Sequence, residues 1–235
     1  MKFSKVEKKL LLLQRNELLS KKQFFLRKKL GRYLFTNYLI NFFQLKNLEE
    51  KTFQLFKEDF FEIKNYLPPN VSNIMDIGCG LGILNIFLNK HYNNFPTFFL
   101  LDKNKIDKKI KYGHSKTYES YNLLDNTKNI LVKNGINIEK LKVFDVEKKI
   151  IVPPKSIDLV ISIKSMGYHY PIDIYFELLR KVCNQHTIYI FDISEENQSI
   201  AKLKEMFQKV NIIKEYEMKH PLIRVCCSSF FMSDN

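Results

Sequence analysis

Residues 74–82, Ile-Met-Asp-Ile-Gly-Cys-Gly-Leu-Gly, place one acid, Asp76, in an apolar run that ends in Gly78, Gly80 and Gly82. An acid two residues before a glycine turn has little to do inside a core. It suits the carboxyl end of a strand that faces a ligand. Glycines tolerate positive φ and carry no Cβ, so backbone and ligand can touch there. The spacing is G-x-G-x-G; the dinucleotide pattern G-x-G-x-x-G would need glycine at 83, where the chain has Ile83. Twenty residues after Gly82 comes Asp102, closing the apolar run Thr97–Leu101. In a strand–helix–strand unit this spacing sets an acid at the tip of the neighbouring strand, where it can accept hydrogen bonds from ribose hydroxyls. Two more apolar runs end in polar groups: Leu141–Phe144 in Asp145, and Ile157–Ile163 in Lys164-Ser165-Met166-Gly167. A fifth, Thr187–Phe191, is followed by Asp192, which reads as an ordinary acid after a strand.

Taken together, these residues resemble the class I S-adenosylmethionine-dependent methyltransferases, whose first motif is a strand ending in acid-x-G-x-G-x-G. Asp76, Gly78, Gly80 and Gly82 match it position for position. The resemblance implies a methyltransferase with S-adenosyl-L-methionine as cofactor; no metal site is expected from the sequence. It implies a cofactor site of Asp76, Gly78, Cys79, Gly80 and Gly82 in the turn, Asp102 and Lys103 after strand two, Asp145 and Val146 after strand three, and Ile163 and Lys164 after strand four. Within that set Asp102 binds ribose, and Asp145 contacts the exocyclic amine of adenine, with Val146 near the ring.

A sulfonium methyl is already activated, so its transfer is an in-line displacement that needs alignment and desolvation. A hydroxyl or protonated amine must also lose a proton, which a base within hydrogen-bond reach can take. In the resembled family the loop after strand four faces the transferred methyl. His169, between Tyr168 and Tyr170, is therefore the candidate base or acceptor-orienting group; the alternative is a loop histidine capping the helix begun at Pro171. A second cluster, Lys111-Tyr112-Gly113-His114 with Tyr118 and Tyr121, lies in a long connection after strand two, where such connections tend to be functional. Tyr112 and His114 are candidates for contacting the acceptor, against an ordinary surface loop with aromatic anchors.

The acceptor is narrowed by what is missing. Methylation of exocyclic base amines goes with an Asn/Asp-Pro-Pro-aromatic loop, and this chain has Lys164-Ser165-Met166-Gly167 there. Methylation at carbon 5 of a pyrimidine uses a Pro-Cys nucleophile, and no Pro-Cys occurs. The His-Tyr pair is similar to one in the cap guanine methyltransferases, on two residues alone. The expected acceptor is an O or N atom of a small molecule, such as a sugar or other metabolite hydroxyl. The alternatives are an RNA methyltransferase recruited by the basic N-terminus, and a cofactor-binding partner subunit that does not turn over.

These groups need a scaffold. Helices are predicted to about residue 66, then alternating strands and helices from 72 to about 208, then two closing strands, Val210–Glu217 and Leu222–Phe231. The predicted core helices are Ile83–Lys90, Thr117–Asn134 stopped by Gly135, Pro171–Val182 and Asn197–Gln208. Alternation implies a Rossmann-like α/β fold: a mostly parallel sheet with helices on both faces. In the resembled family it has seven strands, the last antiparallel, and the count fits. Residues 1–70 form a basic helical extension or cap, and 71–235 the cofactor-binding domain. Composition fits a globular chain, with 45% apolar residues among 235. The longest apolar run near the start, Leu10–Leu13, is far too short to span a bilayer or serve as a signal-peptide core. Cys79, Cys183, Cys226 and Cys227 fit no zinc spacing and read as reduced thiols of a cytoplasmic protein, Cys226 and Cys227 on opposite faces of a strand.

The first 46 residues hold nine Lys and three Arg against two acids, carrying most of the formal charge of +13. Val6, Leu10 and Leu13, then Phe25, Leu26, Leu30, Tyr33 and Leu34, recur at amphipathic helical spacing. Three readings stand: a solvated cap over the site, a nucleic-acid arm, or a contact with anionic lipid. Only five of 38 basic residues are arginine, the better reader of phosphates, which weighs against the arm. Oligomeric state is left open.

Overall fold

Seven strands, β1 (Asn73–Ile77), β2 (Thr97–Asp102), β3 (Leu141–Asp145), β4 (Ile157–Ser162), β5 (Cys183–Ser194), β6 (Phe207–Tyr216) and β7 (Leu222–Phe230), form one sheet in the order β3-β2-β1-β4-β5-β7-β6. The computed structural model describes residues 1–42, 47–106, 121–167, 170–194, 199–217 and 221–231. β1 to β5 pair in parallel, and β7 runs antiparallel to both β5 and β6. Six strands therefore share one direction and the last opposes them, the predicted class. Strand order reverses at β1, with β2 on one side and β4 on the other. That reversal opens a crevice at the carboxyl edge, the position where open α/β sheets bind ligands.

Among the described residues eight α-helices accompany the sheet: α1 (Lys5–Gln14), α2 (Lys21–Leu30), α3 (Arg32–Phe42), α4 (Leu48–Ile63), α5 (Ile83–His91), α6 (Leu124–Lys133), α7 (Phe176–Val182) and α8 (Ser199–Met206). Side chains alternate across the strands with period two. Phe98 and Leu100 enter the core that also holds Leu10, Leu12, Phe60 and Leu88, whereas Phe99 and Leu101 enter the opposite core with Phe176, Leu179 and Phe207. The N-terminal helices thus cover one sheet face and share its core. α1 and α2 each start with a capping box, Ser4 with Glu7 and Ser20 with Gln23, which satisfies the first free backbone N–H groups.

Several boundaries differ from expectation. α6 begins at Leu124 rather than Thr117, because Tyr121 bridges to Ile106 and Leu123 is extended. α8 ends at Met206, since Phe207 leaves the helix to pack against Tyr189 and Phe230. β5 outgrows the predicted Thr187–Phe191: Cys183 pairs with Ile157 at one end and Ser194 with Leu222 at the other. The helical apolar positions also divide unevenly. Leu10 to Leu13 are all buried, but Phe25, Leu26, Leu30 and Leu34 are exposed. Cys226 and Cys227 lie opposite Ile190 and Tyr189, which enter different cores, so the two thiols do face opposite ways. Among the described residues no helix is long and apolar enough to cross a membrane, and no group of three or more His, Cys, Asp or Glu is placed to hold a metal ion.

Candidate cofactor and active site

Alternation along β1 sends Asp76 to the same face as Ile74, the face covered by α5. There Asn85 Nδ2 donates to Asp76 Oδ2 at 2.6 Å. Among the described residues this is the one hydrogen bond to that carboxyl, and no cation pairs with it. Burial, helped by the charge of Asp102, lifts its pKa from the ordinary 3.8 to about 7. Asn85 Oδ1 is itself buried with no partner. A polar residue in the buried stretch Ile83-Leu84-Asn85-Ile86 is a sequence signal that could have revealed it.

Gly78, Gly80 and Gly82 all have positive φ, at 71°, 54° and 69°. The turn is tied to β2 by Gly78 N–H donating to Leu101 O at 2.7 Å. Its surroundings are more protein-filled than expected. A Cβ on Gly78 would lie 1.7 Å from Ser165 Oγ, and one on Gly80 would lie 2.7 Å from Gln14 Oε1. Ser165 Oγ in turn is 3.1 Å from the Tyr170 hydroxyl, whose pKa burial raises. Gly78 therefore admits the loop after β4, and Gly80 admits the end of α1.

Asp102 caps this arrangement. It accepts from Gly80 N–H at 2.7 Å, Lys103 N–H at 2.8 Å and Asn122 Nδ2 at 3.0 Å. Even so, burial raises its pKa to about 6. Asn122 Nδ2 also reaches Gly80 O at 2.7 Å, and so does the Thr127 hydroxyl. Neither Asn122 nor Thr127 is marked in the sequence: Asn122 lies just before α6, and Thr127 sits on it in a run of polar residues. Asp145 sits beside Asp102 in register on β3, and Val146 N–H donates to Asp102 O at 3.0 Å. Lys103 pairs with Glu147 at 3.3 Å. The pKa of the Cys79 thiol, inside the turn, is pushed well up by burial, which disfavours the reactive thiolate.

Across the crevice, Ile163 and Lys164 follow β4. Lys164 has left-handed backbone, φ 55°, and its N–H donates to Asp192 Oδ2 at 3.2 Å while its Nζ binds Glu17 Oε1 at 2.5 Å. Burial would push the Glu17 carboxyl up, but Lys164 and Arg15 outweigh it and hold it below its ordinary value. The end of α1 thus reaches both walls. Gln14 accepts from Leu81 N–H at 3.3 Å and donates to Tyr121 O at 3.1 Å on one side, and Glu17 holds Lys164 on the other. Sequence reasoning missed Gln14 and Glu17, since nothing local marks them. Tyr168, His169, Tyr112 and His114 lie outside the described residues, as do Lys111, Gly113 and Tyr118.

The acids make ligand-free stability sensitive to pH. As pH rises from about 4, an unfolded chain releases the Asp76 and Asp102 protons while the folded chain keeps them to about 7 and about 6. Their contribution is fully present below about pH 4 and is lost as pH rises through those values. Asp76→Asn removes one titration, so its melting temperature relative to wild type is expected to climb between pH 4 and 7. A difference that stays flat across that range would show Asp76 ionised in the folded protein.

With this geometry in place, the class is defined: the chain has the seven-stranded fold of the class I S-adenosylmethionine-dependent methyltransferases, with an acid and three glycines at its switch point. Among solved structures it is similar to a SAM-dependent methyltransferase from Aquifex aeolicus, at 12% identity and a TM-score of 0.50, over 76% of this chain and 97% of that one. It is also similar to a precorrin-6y C5,15-methyltransferase from Geobacter metallireducens, at 11% identity and a TM-score of 0.49, over 74% and 87%. A 16S rRNA N2 G1207 methyltransferase from T. thermophilus matches at 9% and 0.45, over 74% and 39%. No family model matches the sequence, and no curated protein matches it significantly. At 12% identity, the likeness to the Aquifex aeolicus structure shows the fold alone.

Proposed function

We propose that the protein is an S-adenosylmethionine-dependent methyltransferase acting on an O or N atom of a small molecule. The observation that carries this reading is the electrostatics of the switch point. Asp76 and Asp102 are two acids set against a glycine turn, both with the pKa raised by burial, and among the described residues neither is paired with a cation. A ligand carrying positive charge meets that need, and S-adenosylmethionine carries it on its sulfonium and its ammonium. The donor set therefore fits the cofactor.

Asp76 and the turn Gly78–Gly82 would hold its amino-acid end, Asp102 with Lys103 its ribose, and Asp145 with Val146 its adenine. Ile163 and Lys164 would close the opposite wall. Bound there, the cofactor supplies an activated methyl for in-line displacement. The chain's own work is to orient the acceptor, exclude water and remove a proton. We assign proton removal to His169, next to Tyr168 and one residue before Tyr170, and acceptor contacts to Tyr112 and His114. The N-terminal segment serves this scheme as a cap, through Gln14 and Glu17.

Two observations favour a small acceptor over RNA. Arg15, Arg27 and Arg32, the arginines of the basic N-terminal segment, are buried on protein partners, leaving lysines as its exposed cations. The loop after β4 carries Lys164-Ser165-Met166-Gly167 where methylation of exocyclic base amines goes with Asn/Asp-Pro-Pro-aromatic.

Calorimetry with S-adenosylmethionine tests the cofactor. Asp102→Ala is expected to weaken binding by about 1–3 kcal/mol through a lost charge-assisted bond; unchanged affinity would remove Asp102 from the site. Transfer is tested with methyl-labelled cofactor and a cell extract divided into small molecules, lipids, RNA and protein. Label in small molecules supports the proposal, and label in RNA replaces it with the RNA reading. Tight binding with no label anywhere favours the non-catalytic subunit. A pH–rate profile that loses its acidic limb in His169→Gln would identify the base.

A further inference from the structure

We propose that the outer face of α2 and α3 docks on an anionic lipid bilayer. This does not rest on the methyltransferase reading. Phe25, Leu26 and Leu30 on α2 are 58%, 48% and 51% exposed, and Leu34 and Tyr38 on α3 are 69% and 50% exposed. At 100° per residue, Phe25, Leu26 and Leu30 share one arc of α2 with Lys22 and Lys29. Lys21, Lys22, Lys28 and Lys29 are all exposed. No acid occurs between Glu17 and Glu49, so nothing in this stretch neutralises them.

The helix presents this face because the protein holds its other side. Arg27 is buried, donating to Leu12 O at 3.1 Å and to Asn16 Oδ1. Arg32 is buried as well, donating to Tyr121 Oη at 3.0 Å and Asn16 Oδ1 at 3.2 Å, with its guanidinium 4.6 Å from the Tyr121 ring centre. Both arginines fix the face and are spent on it. What is left outside is aliphatic and aromatic surface ringed by lysines.

That chemistry selects among partners. Nucleic acid rewards arginine forks and stacking rings, and gives nothing for Leu26, Leu30 and Leu34. A second copy of the chain would bring an identical acid-free lysine face against this one, since a two-fold interface is isologous. An anionic bilayer accepts both parts: apolar side chains enter the headgroup–acyl boundary while lysines remain at the charged surface.

The experiment is co-sedimentation of the full chain with vesicles of phosphatidylcholine alone or mixed with phosphatidylglycerol. The expected result is partition onto the anionic vesicles alone, weakening as salt rises. Leu26→Glu with Leu30→Glu should lower partition roughly tenfold or more, and Lys22→Glu with Lys29→Glu should do the same. All four sites are exposed, so melting temperature should stay at the wild-type value. No partition onto either vesicle overturns the proposal, as does equal partition by the variants. It is also overturned if the chain self-associates and the Leu26→Glu, Leu30→Glu form disperses it, or if single-stranded RNA binds and vesicles do not.

Discussion

Arg224→Met is expected to lower the free energy of unfolding by about 3–5 kcal/mol, the loss that follows when one partner of a buried ion pair is removed. Arg224 is fully buried on β7, directly opposite Asp192 in register. Its Nε and Nη2 donate to Asp192 at 2.7 and 2.9 Å, Nη2 also reaches Asp59 Oδ1 at 2.9 Å, and Nη1 meets Glu62 at 2.8 Å. Asp59 then pairs with Arg15 at 3.4 Å. Burial would raise the Asp59 carboxyl, but Arg15 and Arg224 outweigh it and hold it low. Without Arg224, buried Asp192 loses its cation and Asp59 keeps only Arg15.

The same network is a structural link to the site. Asp192 also accepts the Lys164 N–H, so the charges run from Asp192 through Arg224, Asp59 and Arg15 to Glu17 and back to Lys164. Urea denaturation measures the loss. Adding Asp192→Asn to Arg224→Met should recover part of it, because the stranded charge goes too. If the losses simply add, the pair is not the source of the effect.

Gly78→Ala is expected to make S-adenosylmethionine binding undetectable and to lower stability by about 2–5 kcal/mol, from left-handed strain and overpacking together. The new Cβ would lie 1.7 Å from Ser165 Oγ and 2.5 Å from Ser165 Cβ. Because Cβ is the root of that side chain, no rotamer relieves the contact, and the loop after β4 must move away from the turn. That movement parts the two walls proposed to enclose the cofactor. Ser165→Gly in the same chain clears the steric conflict and leaves the backbone strain at φ 71°. The double variant should therefore regain part of the stability, read by thermal melting, and measurable binding in calorimetry. A single variant that binds like wild type would show that Gly78 and Ser165 are not pressed together.

The pattern of apolar runs was enough to expect five parallel strands and two closing ones, because period-two burial and strand-end acids are local features. Asp76, the three glycines, Asp102 and Asp145 could be lined up at one edge for the same reason, and the sheet order sets them there. Asp192 shows where local reading ends. It reads as an ordinary acid after a strand, yet its carboxyl is fully buried and holds Arg224, thirty-two residues on.

Long-range partners were not legible. Gln14 reaches a turn sixty-seven residues away, and Asn122 reaches Gly80 across forty-two. Amphipathic spacing over Phe25–Leu34 pointed to helix, but the chain breaks it at Gly31 into α2 and α3, and buried Arg27 and Arg32 turn Phe25, Leu26 and Leu34 outward. The element order and the acid–glycine switch point depend on neighbours along the chain, so they can be read from it directly. What fills the glycines' missing side chains, and which cations each buried acid meets, depend on contacts between segments the chain separates, so they appear only in the folded protein.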